Sequence, residues 1–166
     1  MIGNGMKKVL FVCTGNICRS PTAEGVFRHM LHKEGMDKWV HADSVGLQGY
    51  HIGNPPDHRS QQIAGKRGYS LSGLRARRLN KNDFENFDLI LAMDKGHLEH
   101  MRRHCPPEYS ERIRLFMAYT PHNQHDEVPD PYYGSIQDFE FVLDLIEEGS
   151  KGLIEALKNN KTELRS

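Results

Sequence analysis

Four short apolar runs alternate along the chain with longer stretches in which apolar residues recur at helical spacing. The runs fall at residues 8–12, 40–45, 87–93 and 113–117. Each is bounded by turn residues, so each reads as a buried strand. Between the first two, Ala23, Val26, Phe27, Met30 and Leu31 share one helix face, and Gly35 supplies a stop. Residues 57–66 follow Pro55 and Pro56 and end before Gly68, a second helix; residues 95–104 make a third. Residues 135–158 form the last helix, with Phe139, Val142, Leu143 and Ile146 on one stripe and Gly149 and Gly152 as points of bending or interruption. Strands alternating with helices predict an α/β fold: a single-domain open parallel sheet of about four strands with helices on both faces.

In such sheets ligands bind beyond the carboxyl ends of the strands. The first predicted strand ends at Cys13, the second near Ser44 and the third at Asp94, and the fourth runs into a long loop containing Asp130. Four candidate site residues from four strands therefore fall on one rim.

Bulk composition narrows the classes. The 166 residues, 37% hydrophobic and 27% charged, suit one ordered domain, placed at residues 6–160, with residues 1–5 read as a disordered leader or tag remnant. Lys plus Arg and Asp plus Glu are both 22, so net charge gives no support for a nucleic-acid or membrane-surface role. The apolar run at 9–12 is too short for a secretory or membrane-spanning segment. An odd set of three cysteines, Cys13, Cys18 and Cys105, fits reduced thiols in a cytoplasm.

The chemistry is concentrated after the first strand, in Cys13-Thr14-Gly15-Asn16-Ile17-Cys18-Arg19-Ser20-Pro21. Ser20 reads as a helix N-cap and Pro21 as the first helical residue. Gly15 and Asn16 tolerate the positive φ angles of a tight loop. Backbone N–H groups and the helix N-terminus would converge into an anion nest whose field favours a thiolate at Cys13. Arg19 can fold back and grip two phosphate oxygens side by side, and Ser20 can donate its hydroxyl to the sulfur. A cysteine and an arginine with five residues between them are weak evidence alone; the strand before, the helix after, the Gly and Asn inside and the Ser-Pro at the helix start supply the specificity. Asp130, between Pro129 and Pro131, is either a surface turn or a presented general acid.

These residues resemble the opening of low-molecular-weight protein tyrosine phosphatases. The similarity continues at Asp43-Ser44-Val45-Gly46, Gly53-Asn54-Pro55-Pro56-Asp57, Ala76-Arg77, Met93-Asp94 and Asp130-Pro131-Tyr132-Tyr133-Gly134. The resemblance implies a flavodoxin-like sheet in the order 2-1-3-4. It implies hydrolysis of phosphotyrosine and aryl phosphate monoesters through a phosphocysteine, with Cys13 as nucleophile, Arg19 as phosphate clamp and Asp130 as general acid and base. Thr14, Gly15, Asn16, Ile17, Cys18 and Ser20 complete the phosphate loop. Asn16 and Ser44 support it by hydrogen bonds, and Asp94 organises backbone at the rim. The family's supporting histidine is missing, with Leu74 standing in its stretch. Ile17, Tyr50, Tyr132 and Tyr133 are the candidate walls of a substrate slot, and Cys18 is the candidate redox partner of Cys13.

No metal and no cofactor are implied. The expected ligands are phosphotyrosine-containing proteins and inorganic phosphate or similar oxyanions, with no nucleic acid and no membrane, on a monomer or weak dimer. Ile17 stands where related phosphoarginine phosphatases carry threonine. Arsenate reduction in the same fold relays a disulfide through a further pair of cysteines, and only Cys105 remains outside the loop. A non-catalytic phosphopeptide-binding module would keep Arg19 and the nest but would not need Cys13 and Asp130 together. His97, His100 and His104 read as a solvated helix face, and Arg75, Arg77 and Arg78 as a short basic patch.

Overall fold

A computed structural model describes residues 6–120 and 122–159. The expected leader and the domain limit at residue 160 lie outside the described residues. In chain order the elements are β1 (Lys7–Cys13), α1 (Arg19–Lys33), β2 (Val40–Gly46), α2 (His58–Lys66), α3 (Asp83–Asn86), β3 (Leu89–Ala92), α4 (Lys95–His104), β4 (Ile113–Leu115) and α5 (Ile136–Lys158). Two 3-10 turns, Pro107–Arg112 and Phe116–Tyr119, flank β4. The four strands are parallel in the order β2-β1-β3-β4.

Alternation along β1 divides the core. Val9, Phe11 and Cys13 face one layer with α1, α2 and α5, whereas Leu10 and Val12 face the other with Phe84, Phe87, Ile90, Met101 and Ile113. Phe11 anchors the first layer, with edge-on contacts to Phe27 and Phe116 at centroid distances of 5.5 and 5.6 Å.

The larger departures from the sequence reading fall in the third strand, the fourth strand and the last helix. The third strand is shorter than expected because Phe87 terminates α3 and Met93 already belongs to the rim. The fourth stops at Leu115, where the chain tightens into a 3-10 turn. α5 runs unbroken through Gly149 and Gly152. Those glycines mark close approach, not bending: a Cβ at Gly152 would overlap the Tyr119 carbonyl, and one at Gly149 the Phe116 ring.

Candidate active site

The loop leaving β1 turns at Asn16, whose φ of 57° is the only positive value among described non-glycine residues. Asn16 tolerates it because its amide works at both ends: Nδ2 donates to Ser20 Oγ (2.8 Å) and Ser44 Oγ (2.9 Å), and Oδ1 accepts from the Arg77 N–H (3.0 Å). Gly15, expected to share that conformation, is not among the positive-φ residues. Ser20 also departs from expectation. α1 begins at Arg19 and no side chain caps it. Ser20 Oγ lies instead 3.0 Å from Cys13 Sγ, which is the second role read from the sequence. Pro21 is thereby the third helical residue, still within the first turn where no intrahelical N–H partner exists.

Behind the loop, Ser44 Oγ donates to Glu24 Oε1 (2.7 Å) and Arg28 pairs with Glu24 Oε2 (2.8 Å). Burial pushes the Glu24 carboxyl up, against the Ser44 hydrogen bond and the Arg28 charge. Glu24 thereby backs the Asn16–Ser44 pair from behind, through the Ser44 hydroxyl, while Leu74 packs against the apolar core. Arg77 is no free patch either: its guanidinium bonds Asp43 (2.9 Å) and Asp83 (3.1 Å), fixing the backbone that holds Asn16.

Arg19 folds back over the loop with a side chain only 4% exposed. Nη1 is spent on two fixed acceptors, Asp94 Oδ2 (2.7 Å) and the Val128 carbonyl (2.9 Å). Nη2 faces Thr14 Oγ1 (3.4 Å), His97 Nε2 (3.5 Å) and Asp130 Oδ2 (3.8 Å). Burial works against the Asp94 charge, but the His97 N–H, the His97 ring and Arg19 outweigh it and hold that carboxyl below its ordinary range. Asp94 also caps α4.

His97 was expected on a solvated face; it is 5% exposed, with Nε2 2.9 Å from Thr14 Oγ1. Burial, then the Arg19 charge, push its pKa down to about 4, so the imidazole is neutral at pH 7. Only its neighbours on the helix keep the expected character: His100 and His104 stack at 4.5 Å between ring centroids.

Asp130, with a side chain 50% exposed, is presented by an Asx turn in which Oδ1 accepts from the Tyr132 N–H (3.0 Å). The root of its loop is tied to the sheet, since Val128 N–H donates to the Met93 carbonyl (2.8 Å). Cys13, Arg19 and Asp130 line one pocket with Thr14, Gly15, Ile17 and Cys18 at its floor and Tyr50, His51, Tyr132 and Tyr133 at its mouth. Tyr132 is the supported wall: Arg59, itself paired with Asp57 (2.9 Å), covers its ring. Tyr50 and Tyr133 line the mouth as well, but they are 80% and 94% exposed. His51 and Arg59 gave no sequence signal, because only the folded loop brings them beside Tyr132. Cys18 is buried in the same loop, and burial first, then Asp57 and Cys13, push its thiol up to about 12. No group of described residues has the composition of a metal site.

A cysteine at a strand end, an arginine returned over an amide-lined loop and a carboxylate across the pocket define a cysteine-dependent phosphatase. The family model described as low molecular weight phosphotyrosine protein phosphatase matches residues 8–163. The chain is 39% identical over 156 residues to the low molecular weight protein-tyrosine-phosphatase YfkJ of Bacillus subtilis, covering 94% of this chain and 99% of that one. It superimposes on an Entamoeba histolytica protein tyrosine phosphatase with Hepes in the active site at a TM-score of 0.90, with 36% identity and coverage of 93% and 99%. A Vibrio vulnificus Wzb structure in complex with benzylphosphonate gives a TM-score of 0.79 at 30% identity, covering 91% and 99%. This chain belongs to the low molecular weight phosphotyrosine protein phosphatase family.

Proposed function

We propose that the protein hydrolyses phosphotyrosine monoesters in two steps. Cys13 Sγ attacks phosphorus in line, and the bond to the aryl oxygen breaks as Asp130 protonates that oxygen. Asp130 then takes a proton from the water that hydrolyses the phosphocysteine, releasing inorganic phosphate and restoring the Cys13 thiolate. Arg19 and the loop amides stabilise the equatorial oxygens in both steps. The observation that carries the reading is the convergence of Cys13, Arg19 and Asp130 on one pocket walled by Tyr132. The benzylphosphonate held by the Vibrio relative, an aryl-bearing phosphonate, supports the substrate class.

Kinetics on matched phosphopeptides test it. A phenyl ring can lie between Ile17 and Tyr132 while its phosphate reaches Cys13, whereas phosphoserine is too short to use that wall. The phosphotyrosine peptide is expected to exceed the phosphoserine and phosphoarginine peptides by about 100-fold in kcat/KM, a difference of about 2.7 kcal/mol. Comparable values for all three would remove the assignment of substrate.

A cytoplasmic setting and redox sensitivity belong to the same proposal. Among the described residues no helix is long and apolar enough to cross a membrane. Peroxide would oxidise Cys13 to the sulfenic acid, and the Cys18 thiol would displace water from it to form a disulfide that external thiols reverse. Burial keeps Cys18 protonated and so spares it the first oxidation, and it must give up that proton as it closes the disulfide. After a peroxide pulse and thiol treatment, Cys18→Ser should recover a smaller share of its activity than the parent; equal recovery would eliminate the protective disulfide.

A further inference from the structure

We propose that His97 is a positioning residue of the phosphate cradle: with Thr14 it forms an acceptor shelf that aims one terminal nitrogen of Arg19 at the bound phosphate. The proposal rests on the phosphatase reading and adds a residue to its machinery.

A guanidinium carries five hydrogens, one on Nε and two on each terminal nitrogen. Nη1 carries two, and both have acceptors, Asp94 Oδ2 and the Val128 carbonyl. Nη2 also carries two. One points toward Thr14 Oγ1 (3.4 Å) and His97 Nε2 (3.5 Å), which leaves the other for the ligand. The direction of that second hydrogen therefore depends on the shelf behind it.

The shelf works only if His97 Nε2 bears a lone pair. Nδ1 stands 3.2 Å from Asp94 Oδ1, not aligned for a hydrogen bond but close enough that a bare nitrogen there would oppose the carboxylate. Nδ1 accordingly carries the hydrogen, and Nε2 accepts from the Thr14 hydroxyl at 2.9 Å. The imidazole is fixed in place as well. The His97 N–H donates to Asp94 Oδ1 (2.9 Å) and the ring is enclosed between α4 and the loop. Asp94 thus holds Arg19 directly through one oxygen and indirectly, through His97, with the other. Thr14 is exposed and has no need of a buried partner for its own solvation, so the bond to His97 reads as orientation of the cradle and not as satisfaction of a core hydroxyl.

The test uses para-nitrophenyl phosphate turnover and competitive inhibition by inorganic phosphate. His97→Leu removes the acceptor while keeping an apolar group of similar bulk. It should lower kcat/KM and weaken phosphate inhibition by about tenfold each, the effect of one hydrogen bond to a charged group. His97→Gln can place an amide oxygen near the Nε2 position, and should stay within about threefold of the parent on both readouts. Thr14→Val, at the exposed end of the same pair, should lower both values too. Its loss and that of His97→Leu should not add in the double variant, since the two residues act through one shelf.

Loss in His97→Leu with rescue in His97→Gln and non-additivity with Thr14→Val supports the proposal. Parent-like phosphate inhibition in His97→Leu, or losses that simply add, overturns it. Should His97→Leu fail to fold, a parent-like Thr14→Val overturns it alone. A parent protein without any turnover would instead overturn the phosphatase reading itself, which separates the two failures.

Discussion

Cys13→Ser should turn over no para-nitrophenyl phosphate, a loss of at least about 10⁴ in kcat, while binding inorganic phosphate within a few-fold of the parent. The two halves of this expectation come from different atoms. A serine oxygen would need a base to become nucleophilic, and among the described residues the one side chain hydrogen-bonded to the Cys13 sulfur is the Ser20 hydroxyl. The nearby histidine is committed to Thr14. The loop offers an alcohol no base at this position, so the two-step reaction depends on sulfur as the nucleophile. Anion binding draws on the loop amides and Arg19, which the exchange of sulfur for oxygen leaves in place. Steady-state kinetics and calorimetric phosphate titration check the two halves separately. A variant retaining about a hundredth of the parent rate would remove Cys13 from the nucleophilic role.

Asp130→Ala should lower kcat by roughly 10²–10³, the range of a single positioned proton donor. The fall should be larger for phosphotyrosine than for para-nitrophenyl phosphate. The tyrosine oxygen departs as the stronger base and needs the proton more, whereas nitrophenolate leaves readily on its own. The fold should be nearly unaffected, because the Asp130 side chain is half exposed and its 3.8 Å approach to Arg19 is a long contact worth little to stability. Equal falls on both substrates would mean that Asp130 orders the loop and transfers no proton.

What the sequence made readable was what is local or periodic. The first strand, the loop and the start of the first helix are contiguous, so Cys13, Arg19 and Ser20 could be placed before any fold was known. The apolar runs fixed the strand count, and the chain-wide resemblance supplied the order 2-1-3-4. The residues that escaped depend on contacts between distant segments. His97 sits at helical spacing from His100 and His104 among charged neighbours, and only the Asp94 cap and the loop bearing Thr14 enclose it. Glu24 gives no signal of its own in the sequence, because its partner Ser44 lies 20 positions away. α3 spans four residues, too few to show a period. Ser20 was misjudged as a cap because a serine before a proline at a helix start has the same appearance whether its hydroxyl serves the backbone or a neighbouring sulfur.

The end of β2 bears on how the cradle meets its ligand. At Gly46 a Cβ would come within 2.9 Å of the Gly15 carbonyl carbon and the Thr14 oxygen and 3.0 Å of the Asn16 nitrogen. The rear of the nest is therefore seated on bare backbone, and Leu47 and Gln48 N–H groups tie it there through the Cys13 and Thr14 carbonyls at 3.0 and 2.9 Å. A mould backed in this way is expected to keep its shape as the ligand enters. Capture of a small tetrahedral anion should then proceed at the pace of diffusional encounter, with no slow rearrangement phase in a stopped-flow record.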